Sequence, residues 1–289
     1  MSAEKDRWSS KAYTSAASFV PQLTTTVVSY LSAQPHERIL DIGCGDGPLT
    51  AQIAAACAPG AVLGLDASES MIATAQEQHG PGSEHGQENL EFKVHDCTQL
   101  AQCADAMEVQ GGGWDKVFSN AALHWILRSP STRMNVLADI YACLKPGGTF
   151  VFEMGGKGNV EAVHAATIAA LVAEGVDIVT AREACPWFFP SQEWMRAALG
   201  EVGFEVCKVE VEYRPTRCTE RAGDGSGGLE GWVRLMCAAM LEAAEEGRRE
   251  KVVRRVVQTL ESVVTREEDG SMWLGYVRLR GVARKPEDV

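Results

Sequence analysis

Arg38-Ile39-Leu40-Asp41-Ile42-Gly43-Cys44-Gly45-Asp46-Gly47-Pro48-Leu49-Thr50 reads as a short buried strand, a glycine turn and the first turn of a helix. Apolar residues run up to Asp41, glycine alternates at 43, 45 and 47, and Ala- and Leu-rich sequence follows. Glycine at these positions permits positive φ and lets bare backbone approach a ligand. The helix that follows directs its unpaired N–H groups at the same point, which suits an anionic group.

Working outward, the pattern repeats. Ala61-Val62-Leu63-Gly64-Leu65-Asp66 is a second buried strand ending in a carboxylate. Ala67-Ser68-Glu69-Ser70 then supplies cap chemistry for a helix through Gln78. Leu90 to His95 is a third strand, ending at Asp96, and 98–110 is expected to be helical. Trp114 to Asn120 is a fourth strand, followed by Ala121-Ala122-Leu123-His124-Trp125. A helix over 131–143 leads through Leu144-Lys145-Pro146-Gly147-Gly148 into strand Thr149 to Glu153. Strands alternating with helices predict a mostly parallel sheet with helices on both faces. Beyond Glu153 the alternation stops. Helices are expected at about 159–174, 192–199, 229–246 and 248–266, with a strand over 203–211 and a last strand over 275–283. This ending fits an antiparallel hairpin at the sheet edge, beneath a helical cover. The expected organisation is a single domain over 1–289: a ligand-binding core at 36–153, a cover and substrate segment at 157–273, and a last strand at 275–284.

The chain has 289 residues, 45% hydrophobic and 23% charged, with a formal net charge of −12. That charge argues against a nucleic-acid partner held through phosphates. The Arg248-Arg249 and Arg254-Arg255 pairs are interleaved with Glu245, Glu246 and Glu250, as on a solvated helix face. No apolar run approaches a membrane span, so no membrane partner is expected. Met1 to Arg7 has no apolar core following a basic start. Nine cysteines show neither CxxC pairs nor metal-ligand spacing. They read as reduced, mostly buried thiols in a cytoplasmic protein without a metal. Nothing in the sequence specifies an oligomeric state.

In an open α/β sheet, ligands sit outside the carboxyl ends of the strands near the switch in strand order. The Asp41–Gly47 turn, Asp66, Asp96 and Asn120 all fall at such ends. Each alone reads as a cap or turn residue; together, at the ends of four consecutive strands, they indicate one shared small-molecule site. A dinucleotide fingerprint needs G-x-G-x-x-G, but here the third glycine is one residue early and Pro48 takes its place. A nucleotide-binding oxidoreductase is therefore disfavoured.

These motifs resemble those of the class I S-adenosylmethionine-dependent methyltransferases, over roughly residues 36–153. Leu40 to Gly47 looks like their first motif, and Leu65-Asp66 with Ser68 and Met71 like their second. His95-Asp96-Cys97 looks like the adenine-contacting segment, Asn120 to Trp125 like the end of strand four, and Leu144 to Gly148 like their turn into strand five. The resemblance implies a Rossmann-like, doubly wound, mostly parallel seven-stranded sheet with an antiparallel edge hairpin and a helical cover. It implies S-adenosyl-L-methionine as cofactor, with Asp41, Gly43, Cys44, Gly45, Asp66, Ala67, Met71, His95, Asp96, Cys97, Asn120 and Ala121 around it. Within that family, Asn120 to Trp125, Trp8 with Tyr13, and Tyr276 to Arg280 with Arg284 look like the trans-aconitate methyltransferase group. The juvenile hormone acid methyltransferases share the Leu-His-Trp element. Those relatives methylate carboxylates of small molecules, and the cover segment has no specific match.

The resemblance thus implies O-methylation of a carboxylate on a small molecule. Trp125 would face the reacting groups, and Trp8, Tyr13, Trp125, Arg278 and Arg280 would contact the substrate. A carboxylate with pKa near ~4 is ionised at neutral pH and needs no base. His124 is the candidate base for a neutral hydroxyl or amine acceptor; its plainer reading is a histidine bonded to backbone. Arg278 and Arg280 alternate on one strand face, either toward an acidic substrate or toward solvent. Trp8 and Tyr13 also suit a plain core, and Trp187, Phe188, Phe189 and Trp232 either pack the cover or line a pocket. A non-catalytic cofactor-binding protein is the remaining alternative.

Overall fold

The structure, a computed structural model, describes residues 24–84, 86–107, 113–221 and 227–287. Trp8 and Tyr13 lie outside the described residues. Seven strands form one sheet: β1 (Arg38–Ile42), β2 (Ala61–Asp66), β3 (Leu90–Val94), β4 (Trp114–Asn120), β5 (Leu144–Gly155), β6 (Glu205–Arg217) and β7 (Trp273–Arg284). Their order is β3-β2-β1-β4-β5-β7-β6. The first five run parallel, and β7 lies antiparallel to both β5 and β6. The expected edge hairpin is therefore present, with the later strand on its inner side.

Alternation of side chains along each strand divides the core. Leu40, Ile42, Phe150 and Phe152 pack on one face with Ile140 and Leu199. Ile39, Phe118 and Val151 pack on the other with Val27, Ile53 and Ile72. The helices covering these faces are α1 (Thr25–Leu31), α2 (Pro48–Cys57), α3 (Glu69–His79), α4 (Arg133–Cys143) and α5 (Gln192–Val202). Both faces of β1, β2 and β5 are buried, as their near-continuous apolar runs require.

A third cluster builds the cover from α6 (Glu161–Ala173), α7 (Gly228–Met236) and α8 (Glu246–Val264), around Trp187, Trp232 and Val256. Leu274 and Tyr276 of β7 join it, tying cover to sheet. Two local expectations need correction. The described part of the stretch over 98–110 is a 3₁₀ helix (Cys97–Gln102), kinked at Gln99, then a four-residue α-helix (Ala104–Met107). The Asp96 side chain caps its start by accepting from Thr98 N–H. A short helix, Ile178–Glu183, was not foreseen; Asp177 caps it by accepting from Val179 and Thr180 N–H.

Candidate functional site

The strand order reverses between β1 and β4, and a cavity of about 700 Å³ opens at the carboxyl ends of β1 to β4. The glycine turn forms its floor. Gly43, Gly45 and Gly47 all have positive φ (77°, 59° and 86°). Their surroundings differ. A Cβ at Gly43 would strike Ala122 and one at Gly47 would lie 2.6 Å from the Phe92 ring, whereas Gly45 has open space. Two of the glycines thus permit packing under the turn, and Gly45 exposes backbone to the cavity.

Asp66 ties the ends of β1 and β2 together. Its Oδ2 accepts from Gly45 N–H at 3.0 Å and its Oδ1 from Ser68 N–H at 2.9 Å. Ser68 caps α3 by accepting from Met71 N–H, which sets Met71 in the wall. Asp41 is buried, and its Oδ2 accepts from Thr50 Oγ1–H at 2.7 Å. Burial raises its carboxyl to about 7; the Thr50 hydroxyl works against that rise and the charge of Asp66 adds to it. Burial likewise pushes the Cys44 and Cys97 thiols up, so both are poor nucleophiles.

At the end of β4, Ala121 holds φ at +58°, a left-handed conformation costly for a residue with a Cβ. Its N–H donates to the Glu153 carbonyl at 2.8 Å, which fixes the turn. The Asn120 Oδ1 beside it is enclosed and has no hydrogen-bond partner among the described residues. Trp125 and Ile126 continue the wall, and the cover closes it with Pro186, Leu235, Met236, Ala238 and Ala239.

The cavity thus brings together Asp41, Gly43, Cys44, Gly45, Asp66, Ala67, Met71, Asp96, Cys97, Asn120, Ala121 and Trp125. Four candidates stand elsewhere. His95 is outside the lining, its Nε2 3.1 Å from the Gln99 carbonyl. His124 is buried behind Trp125, their ring centroids 5.4 Å apart. Its Nδ1 accepts from Gly155 N–H at 3.4 Å. Burial, then the nearby Arg278 charge, depress it to about 3, so the imidazole is neutral and too weakly basic for a general base. Arg278 and Arg280 share a face, but neither faces solvent and neither lines the cavity. They are 4% exposed and ion-paired to Glu153, which Arg214 also contacts. Burial alone would raise the Glu153 carboxyl, but Arg278, Arg214 and Arg280 outweigh it and hold it below the usual range.

Trp187, Phe189 and Trp232 pack in the cover, Phe188 packs on the sheet core against Trp194, and none of the four lines the cavity. Trp187 stacks on Phe189 and presents an edge to Trp125, and Trp232 Nε1–H donates to Tyr276 Oη at 2.7 Å. Arg128 and Ser129, absent from the sequence candidates, also line the cavity. They lie three and four residues after Trp125, the helical spacing that shares a face. Leu235 and Met236 had no such local signal.

Residues 39–148 match the methyltransferase domain family. An uncharacterized methyltransferase of Schizosaccharomyces pombe is 34% identical over 97% of this chain and 99% of its own length. The trans-aconitate 2-methyltransferase of Deinococcus radiodurans is 34% identical over 42% of this chain and 39% of that enzyme. In fold, a Haemonchus contortus phosphoethanolamine N-methyltransferase 2, solved with phosphomonomethylethanolamine and S-adenosylhomocysteine, superposes with TM-score 0.53 at 19% identity, over 96% of this chain and 57% of that one. The Bacillus subtilis YcgJ protein gives TM-score 0.58 at 13% identity, over 91% and 97%. The chain belongs to the S-adenosylmethionine-dependent methyltransferases.

Proposed function

We propose that this methyltransferase acts on a small molecule and esterifies one of its carboxylates. The supporting observation is that, among the described residues, no histidine stands at the cavity to serve as base. His124 behind it is buried, neutral and weakly basic. A hydroxyl or ammonium acceptor must lose a proton during transfer, whereas a carboxylate with pKa near ~4 is already ionised at neutral pH.

The residues present fit the cofactor. Asn120 Oδ1 is a buried acceptor awaiting a donor, and Gly45 opens bare backbone where a Cβ would intrude. Asp66 offers acceptor-only oxygens for a ribose diol. The start of α2 suits a carboxylate and Asp41 an ammonium. Met71 and Cys97 supply apolar wall for adenine, and Asp96 an acceptor for its amino group. The acidic wall of Asp41, Asp46, Asp66 and Asp96 complements a ligand of net positive charge. When bound, S-adenosylmethionine supplies an electrophilic methyl group on a sulfonium sulfur. The chain's own contribution is then positional: Asn120, Ala121 and Trp125 hold the acceptor oxygen in line, and the cover excludes water. Arg128 adds a cation to the wall for an acidic ligand.

The test is incubation with methyl-labelled S-adenosylmethionine and panels of small acids, alcohols and amines. Base-labile label on acids alone is expected. Base-stable label on alcohols or amines would replace this reading with methylation of a neutral metabolite. No transfer to anything, with S-adenosylhomocysteine still bound, would identify a non-catalytic binding protein.

A further inference from the structure

The cavity has two unlike halves. Around the glycine turn its lining carries the carboxylates of Asp41, Asp46, Asp66 and Asp96, which suit a cationic cofactor. Past Trp125 the lining holds no carboxylate. The cover supplies Leu235, Met236, Ala238 and Ala239 there, together with Pro186. None of the first four is fully buried, so their apolar surface stays open instead of being spent on the core.

One charge stands in this second half. Among the described residues, Arg128 is the sole cation that lines the cavity. Its neighbours place it on the cover side: its guanidinium donates to the Glu183 carbonyl, and its charge is felt at Cys185, next to Pro186. That hydrogen bond is 3.4 Å long, which makes it weak. Arg128 is exposed and makes no ion pair among the described residues. Arg214, Arg278 and Arg280, by contrast, are all committed to Glu153. The guanidinium fork of Arg128 is therefore available to a carboxylate that enters the cavity.

We propose that Arg128 holds the carboxylate of the methyl acceptor while the apolar wall takes its body, so that the substrate is a monocarboxylic acid with a hydrocarbon chain or ring. The inference rests on the carboxylate-methylation reading above. A second carboxylate on the acceptor would meet no further cation. It would have to shed its hydration against Leu235 and Met236, or approach the aspartates of the other half. The same pairing favours release of product. The carboxylate oxygen bonds to the methyl carbon, the S–CH₃ bond breaks with its electron pair left on sulfur, and carboxylate and sulfonium become neutral ester and thioether. The ester no longer pairs with Arg128. Arg128 thus acts on specificity and orientation, with no part in bond making.

The experiment compares kcat/KM for butanoate, hexanoate and octanoate with that for succinate and trans-aconitate. Burying one methylene is worth about fourfold, so kcat/KM is expected to climb by about that factor per methylene until the wall is covered. Succinate and trans-aconitate are expected to fall at least about 10-fold below octanoate. In Arg128→Gln, KM for octanoate is expected to rise about 10- to 100-fold, as loss of charge-assisted hydrogen bonds requires. The kcat should change far less, and S-adenosylhomocysteine affinity should stay within a few-fold. Met236→Gln is expected to flatten the chain-length series. An unchanged KM in Arg128→Gln, a loss of cofactor affinity as large as the rise in KM, or a preference for succinate over octanoate overturns the proposal. If no acid is methylated at all, the carboxylate-methylation reading fails independently. The subsite is then read by calorimetric titration of octanoate, with octanamide as the uncharged control, into the protein saturated with S-adenosylhomocysteine. A preference for octanoate that disappears in Arg128→Gln sustains it, and equal binding of the two, or none, refutes it.

Discussion

Replacing Asp41 with Asn is expected to stabilise the cofactor-free protein, increasingly so as pH rises. The carboxyl is 3% exposed and titrates at about 7 instead of 3.8, mainly because burial penalises its charge. The unfolded chain ionises first, near its ordinary value. Raising the pH from there through the folded value therefore favours the unfolded state, and the loss levels off above about 7. At about 1.36 kcal/mol per unit, a rise from 3.8 to about 7 costs the native state about 4 kcal/mol at pH 8, of which about 2–3 kcal/mol accrues between pH 5 and 8. Asn keeps an acceptor for the Thr50 hydroxyl but cannot ionise. Its extra N–H donors shift the absolute stability, so the diagnostic quantity is the change in the gap with pH. Urea unfolding of both proteins at pH 5, 6, 7 and 8 measures it. The gap should open by about 2–3 kcal/mol across that range. Parallel pH profiles would refute the reasoning and show that Asp41 ionises as it does in water. In the unaltered chain S-adenosylhomocysteine should bind more tightly as pH rises toward about 7, then level off, as an ammonium pairing with ionised Asp41 requires. Asp41→Asn should lose that dependence along with most of the affinity.

The glycine turn separates binding from folding. Gly45→Ala places its methyl in open cavity, so calorimetry should show weakened S-adenosylhomocysteine binding with a loss of only about 1 kcal/mol in stability for the positive φ. Gly47→Ala adds a clash with the Phe92 ring to the same backbone strain, and its thermal melting should fall far more than that of Gly45→Ala. Asp66→Asn turns one acceptor oxygen into a donor facing either Gly45 or Ser68 N–H, at a cost of about 1–3 kcal/mol in denaturation and a matching fall in cofactor affinity. Ala121→Gly relieves a left-handed residue and should raise the melting temperature, by up to about 1 kcal/mol in stability; a lower melting temperature would show that the Ala121 methyl contributes packing that outweighs the strain.

What the sequence made legible was the part written in local chemistry. Apolar runs that end in Asp66 or Asn120, and glycines at alternating positions, encode strand ends and turns directly. Asp41, Gly45, Asp66 and Asn120 consequently meet where the pattern put them. The alternation of Arg278 and Arg280 was equally plain, but their partner was not. Glu153 is more than a hundred residues away, and register between distant strands leaves no mark in spacing. His124 shows a similar gap: its proximity to Trp125 was readable, but its burial beneath Phe189 and the bond from Gly155 N–H depend on the cover. Leu235 and Met236 reach the cavity only because α7 packs there, and helical periodicity names a buried face without naming what it faces. The 3₁₀ segment after Asp96 escaped because Asx capping competes with α-helical pairing over so short a stretch.

The position of β7 bears on how the chain assembles. Every ladder partner of β6 belongs to β7, which follows it by more than fifty residues and lies between it and β5. As the polypeptide emerges from the ribosome, β1 to β5 can pair in turn, but β6 must wait, unpaired, while all of α8 is made. During that interval β6 is a long exposed strand, the kind of segment that recruits other chains. Its sequence is already protected: Glu205, Lys208, Glu210, Glu212 and Arg214 place a charge at nearly every second position. Two of these side chains, Glu210 and Glu212, later pair with Arg280, and would first help keep nascent chains apart.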